Sequence, residues 1–261
     1  MTGMLEGKNA IIYGAAGGIG RGVSHAFARE GAQVFLTGRS IEPLDALATE
    51  ITDTGGSARV AVVDAFDEAA VDAHVSTVVA EAGSLDVSFN LISRGDVQGT
   101  ALVDMTVEEL MRAVDEGLRS NFITARAGAR QMSSQGSGVV LHLNSASGAG
   151  ALAGMGSTGP ADAAVESFMR YLAAEVGANG VRVCGIWTAG VRETLTTEKI
   201  AEVDPTRFGA EQVIEMISQM SVLNRPPALA EVAETAAFLA SDRAAGITGS
   251  MTNVTAGLVL R

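Results

Sequence analysis

The chain has 261 residues, 47% of them hydrophobic, a single cysteine and a formal net charge of −12. That size and apolar share suit one domain with a substantial core, while the acidic balance argues against nucleic acid or an anionic membrane surface as a partner. No apolar run is long enough to span a bilayer, the opening MTGMLEGKNAIIYG lacks a signal-peptide pattern, and Cys184 alone cannot form an internal disulfide, so a cytoplasmic protein is expected.

In chain order, a strand is predicted over 9–14, a helix over 18–30, a strand over 32–38 and a helix over 41–54. A strand over 58–64, a helix over 67–82, a strand over 85–92 and a long helix over 107–132 follow. The pattern closes with strands over 138–144, 181–187 and 250–255 and helices over 158–178 and 229–240. Several of these strands are apolar on both faces, as parallel strands covered by helices are. The alternation predicts an α/β fold, a doubly wound Rossmann-like parallel sheet with right-handed crossovers, in a single domain. Residues 191–225 break the rhythm with Pro205 and end just before Pro226 and Pro227; they read as a small insertion over the ligand-binding end of the sheet, a substrate lid. Within it Met216, Ile217, Met220, Val222 and Leu223 suit an apolar substrate, although at helical spacing they suit a core as well.

The first strand runs into GAAGGIG, residues 14–20. Gly14 permits a tight turn, Gly18 lets backbone approach a pyrophosphate, and Gly20 lets the next helix pack close, with Ala16 and Ile19 completing the loop. After the second strand stand Gly38 and Arg39, where an acidic residue would hold the ribose 2′-hydroxyl of NAD. With no carboxylate there and a guanidinium able to grip a 2′-phosphate, NADP is the expected cofactor, NADPH over NADH. Asp64, followed by Ala65, ends the third strand and can accept from an adenine amino group or cap the helix that begins near Asp67.

With these pieces the chain resembles the short-chain dehydrogenase/reductase family over nearly its whole length. The resemblance rests on GAAGGIG, Arg39, Asp64, LDVSFN ending at Asn90, Asn121 in RSNFITA, LNSASG around Ser145, VRVCGIWTAGVRET and ITGSMTNVTAG. It implies that Thr194 bonds the nicotinamide carboxamide, that the final strand supports a homodimer or homotetramer, and that the partner is a small-molecule substrate. The family reduces carbonyls with a tyrosine, a lysine, a serine and an asparagine. Aligned on AAVESF, the lysine position holds Asp162 and the tyrosine position Thr158, while the serine and asparagine correspond to Ser145 and Asn121. Tyr13, Asn90-Leu91-Ile92-Ser93 and Ala189-Gly190 also depart from the family pattern.

Carbonyl reduction needs a proton and donors for the oxyanion. Thr158 can donate a hydrogen bond but is a poor acid. Asp162, if buried, could hold a proton; the alternative is that Thr158, Gly159 and Pro160 are an N-cap and first turn, with the helix dipole lowering the Asp162 pKa. Tyr13, at the end of the first strand, is placed near the pyrophosphate. Lys8 and Tyr171 are out of reach, and Lys199 approaches only if the lid closes. His142 should face away from Ser145 across the sheet. Cys184 and Trp187 read as core. No metal-ligand spacing is present, and Ser145, His142 and Asp162 lack a nucleophile elbow. Two functions remain: an NADP(H)-dependent oxidoreductase acting on a small apolar carbonyl, enone or imine with an unusual proton donor, or a non-redox enzyme or pseudoenzyme reusing the fold.

Overall fold

Strands with apolar residues on both faces can be buried only between two helical layers, and the chain builds that arrangement. The computed structural model describes residues 3–204 and 209–260; Pro205 lies outside them. The strands are β1 (Asn9–Tyr13), β2 (Gln33–Gly38), β3 (Ser57–Val62), β4 (Val87–Asn90), β5 (Gly138–Ser145), β6 (Val181–Thr188) and β7 (Ser250–Val254). The helices are α1 (Gly18–Arg29), α2 (Ile41–Asp53), α3 (Glu68–Ala82), α4 (Val107–Gln135), α5 (Thr158–Val176), α6 (Thr197–Val203), α7 (Ala210–Met220) and α8 (Leu229–Ala240). All strand pairs are parallel, in the order β3-β2-β1-β4-β5-β6-β7. The winding reverses between β1 and β4, and in such sheets the crevice at that reversal takes the ligand.

Alternate residues of each strand feed separate cores. Ala10, Ile12, Leu36, Leu141 and Ile186 pack with α1, α2 and α8. Ile11, Phe35, Val140 and Val183 pack with α3, α4 and α5. Tyr13 ends β1 just before the glycine loop, with its side chain fully buried in this second core. Its hydroxyl has no hydrogen-bond partner, and burial pushes its pKa up.

Other boundaries move by a few residues for local reasons. β3 ends at Val62, which leaves Asp64 in the following turn. α4 continues to Gln135, where Gly136 at φ 79° supplies a left-handed cap; at its start Thr106 and Glu109 form a reciprocal capping box. α5 has Ser157 at its N-cap, without a side-chain cap bond, so Thr158 is already the first helical residue and not the cap. The described residues of 191–225 include a short 3-10 turn, α6 and α7. No described helix is long and apolar enough to cross a membrane.

Candidate active site

At the end of β1 the chain must turn sharply beneath a neighbouring strand end. Gly14 has φ +76°, and a Cβ there would lie 2.8 Å from the Leu91 carbonyl oxygen. The amides of Gly14 and Ala15 both donate to the Thr37 carbonyl, which ties the loop to β2. A Cβ on Gly20 would lie 2.2 Å from the Gly14 carbonyl oxygen, so only glycine lets α1 start so close to the strand. A Cβ on Gly18 would meet the Thr194 methyl at 2.8 Å; Gly18 thus faces the segment after β6. The N-cap of α1 is Gly17, with no side-chain cap bond and no acid in the first turn. Such a helix start offers uncapped amides and a partial positive charge to an anion. Arg39 is exposed just past the strand to which this loop is tied, and makes no ion pair among the described residues. These features fit a dinucleotide: a glycine cradle that side chains would fill, an uncapped helix start for phosphates and a cation nearby.

Asp64 is exposed and accepts from the Phe66 amide at 3.0 Å. The cap of α3 is Asp67, which accepts from the Ala70 amide at 3.0 Å. Ala65 is buried, Ala16 packs against the first core, and Ile19 packs there too while lining the active-site cavity. Asn90 donates to Thr124 of α4 and accepts from the Ile92 amide, both at 3.0 Å, and so shapes the chain leaving β4.

That loop delivers a residue the sequence reading missed. Arg94 reaches α5, where its Nη2 pairs with Asp162 Oδ1 at 2.5 Å, and its Nε donates to Asp96 Oδ1 at 2.9 Å. Asp162 is fully buried. Its Oδ2 accepts from the Ser145 hydroxyl at 2.5 Å. Burial pushes the Asp162 carboxyl up to about 6, against the opposing pull of Arg94 and of the Ser145 bond. Burial therefore outweighs any dipole effect, and Asp162 is in any case beyond the first turn of α5. Burial also opposes the charge on Arg94, but Asp162 and Asp96 outweigh it and hold the guanidinium above its ordinary value. The Ser145 oxygen accepts in turn from the Ser147 amide at 3.2 Å.

The loop is stitched down on both sides. The Val97 amide donates to Ser157 Oγ and the Ser157 amide to the Val97 carbonyl. Gln98 donates to the Thr158 hydroxyl oxygen at 3.1 Å, and its amide bonds the Val203 carbonyl of α6. Asn121 donates to the Gly117 carbonyl, while its Oδ1 is buried without a partner.

These elements enclose a cavity of about 540 Å³ at the C-terminal ends of β4, β5 and β6. Ile19, Asn90 and Thr194 line it from the nucleotide side, Asn121, Ser145 and Thr158 from the other. Asp162 lies just behind Ser145 and Arg94. Gly14, Gly18, Gly20, Arg39, Asp64 and Ala65 do not line this cavity but continue along the ends of β1, β2 and β3. Met216, Ile217 and Met220 do line it, whereas Val222 and Leu223 are exposed outside it. Lys199 lines it without any closure, with its ammonium held by Glu202 at 2.7 Å.

His142 lies in a separate cavity with Glu166 and Met169 of α5, where burial lowers its imidazole to about 4. Ser145 also reaches α5, because it ends its strand, so the two do not oppose each other across the sheet. Cys184 is core, Trp187 donates to Glu166 at 2.8 Å, and Tyr171 is exposed. No metal-binding cluster of His, Cys, Asp or Glu occurs among the described residues.

Comparison with known proteins agrees with this layout. Residues 14–259 match the family model described as enoyl-(acyl carrier protein) reductase. The chain is 29% identical over 267 residues to 3-oxoacyl-[acyl-carrier-protein] reductase FabG of Chlamydia muridarum, covering 99% of this chain and all of the relative. It is 30% identical to oxidoreductase UcpA of Salmonella typhimurium, covering 99% of this chain and 97% of that one. A short-chain type dehydrogenase/reductase from Mycobacterium ulcerans superposes with TM-score 0.87 at 27% identity, covering 98% of this chain and 91% of that one. NAD+-bound xylitol dehydrogenase, at 23% identity and TM-score 0.86 over 97% and 99% of the chains, shares the fold.

Proposed function

The chain belongs to the short-chain dehydrogenase/reductase family, an oxidoreductase family, and from that premise we propose that it is an NADP(H)-dependent reductase of a small, apolar carbonyl, enone or imine. The observation that carries this reading is a single cavity bounded by Ile19 and Thr194 from the nucleotide side and by Ser145 and Thr158 from the other. Arg39 supports NADPH over NADH, because Gly38 and Arg39 stand where an acidic residue would repel a 2′-phosphate. The segment 191–225 acts as the lid, with Met216, Ile217 and Met220 forming its apolar underside.

When bound, the nicotinamide supplies hydride. The protein must then hold the substrate, exclude water and manage a proton. Thr158 offers a hydroxyl whose oxygen is already fixed by Gln98. Among the described residues Asp162 is the acid bonded to Ser145, and its carboxyl, raised to about 6, holds a proton in mildly acidic solution. It does not reach the cavity itself; Ser145 stands between and passes the proton on. Asn121, with an unpartnered buried oxygen, can anchor water that refills the chain.

The test is NADPH oxidation followed by absorbance with ketone, enone and cyclic imine panels. Turnover that falls on both Ser145→Ala and Asp162→Asn supports the assignment. Turnover unaffected by either substitution contradicts it.

A further inference from the structure

We propose that Arg94 is a catalytic residue: its guanidinium receives the negative charge that builds on the reacting oxygen. This inference rests on the reductase reading above and narrows its substrate to compounds whose reacting group ends in oxygen.

The argument begins with the donors around the cavity. Ser145 donates to Asp162 while that carboxyl is ionised, and its proton is free for the cavity only when Asp162 is itself protonated. Asn90 donates to Thr124, Gln98 to Thr158, Asn121 to Gly117 and Asn144 to the Asp162 carbonyl. Lys199 is held by Glu202. Each of these amides keeps a second N–H and Lys199 keeps two, but Lys199 is 55% exposed, so among the described residues the largely buried cation lining the cavity is Arg94. A guanidinium carries five N–H donors, and among the described residues Arg94 uses Nε and Nη2. Its side chain is 12% exposed and lines the cavity, so unspent N–H groups remain beside the space a substrate would fill.

The protein also builds a berth for it. A Cβ on Gly117 of α4 would lie 2.8 Å from Arg94 Cδ, so the side chain lies across a glycine. Two carboxylates fix its plane. A cation held in place before the reaction stabilises developing charge without reorganising, which is how oxyanion sites act.

The chemistry follows. Hydride from the reduced nicotinamide dinucleotide adds to the carbonyl carbon. The C=O π pair moves to oxygen beside Arg94, and that oxygen takes the Ser145 proton while Ser145 takes one from Asp162. The substrate is reduced and the dinucleotide oxidised. Arg94 keeps its own protons throughout. An enone fits equally, its charge collecting on the enolate oxygen while its carbon is protonated by water. An iminium, a cation, would meet a fixed positive charge.

The test uses a stable oxygen anion, the enolate of 1,3-cyclohexanedione, and its neutral enol methyl ether. Each is titrated calorimetrically into the full-length, nucleotide-free protein. The wild type should bind the enolate more tightly than the ether. Arg94→Gln should lose that preference by about tenfold or more, the scale of a charged hydrogen bond. Because Arg94→Gln also leaves Asp162 uncompensated, the double variant Arg94→Gln/Asp162→Asn is decisive, since it removes both charges together. Loss of the preference in the double variant supports a direct contact. A double variant with wild-type preference overturns the proposal and leaves Arg94 as the counterion of Asp162, as does a wild type with no preference. A separate NADPH titration reports on the reductase reading, so the two can fail independently.

Discussion

Two opposed forces set the behaviour of Asp162, and burial wins. Its folded pKa, about 6, lies above the ordinary value of 3.8. The folded state therefore binds a proton more tightly than the unfolded chain, and the group's contribution to stability falls as pH rises from about 4 to 6. The difference is on the order of 3 kcal/mol. Asp162→Asn removes this dependence. The stability of the variant relative to wild type should rise across that interval, as measured by chemical denaturation at a series of pH values; a constant difference would refute the burial argument. In the proposed mechanism the same proton serves ketone reduction. kcat/KM should decline above about pH 6 in the wild type, and that limb should vanish in Asp162→Asn. Arg39 offers a second test on a single side chain. Replacing it with serine should weaken NADPH roughly ten- to a hundredfold, as expected for losing charged hydrogen bonds to phosphate, and leave NADH within about twofold. Equal losses for both nucleotides would remove Arg39 from the 2′-phosphate.

Helix α4 shows how an element can give up stability for a site. Gly117 sits well inside it, where alanine would ordinarily favour the helix by roughly 0.5–1 kcal/mol. The glycine persists beneath the Arg94 side chain, which a Cβ would strike at 2.8 Å. Gly117→Ala should leave the melting temperature unchanged or raised while lowering kcat/KM about tenfold, by moving Arg94 off its berth. Parallel loss of fold and activity would show that Gly117 serves packing alone. The elements themselves were largely legible in the sequence. Both-face apolar strands announced a covered parallel sheet, whereas the end of α4 at Gly136 was placed three residues early. The misses were local. Ser157 and not Thr158 precedes α5, because the Ser157 hydroxyl is turned to Val97 instead of advertising a cap bond.

Across the whole molecule, the glycine loop was easier to read than the Ser145 end of the cavity, for a physical reason. The glycine loop is contiguous, and its spacing states its geometry. The reacting end is assembled from β5, α5 and a loop after β4, and the Arg94–Asp162 pair joins residues far apart in the chain. The sequence singled out Asp162 as a candidate, and the structure places it fully buried against Ser145. That a buried carboxylate there demands a cation is a rule of electrostatics. Which arginine answers it depends on the path of the 91–106 loop, pinned by Ser157, Gln98 and α6, and no local pattern encodes that path. NLISRGD did hold a clue, an arginine two residues before an acid.

The measurement to make is a calorimetric titration of the protein with NADPH, with NADH alongside. Tight binding of NADPH and much weaker binding of NADH is the predicted result, and it would establish the glycine loop and Arg39 as a working dinucleotide site next to the Ser145 cavity. Failure to bind either nucleotide would contradict the reductase reading at its foundation.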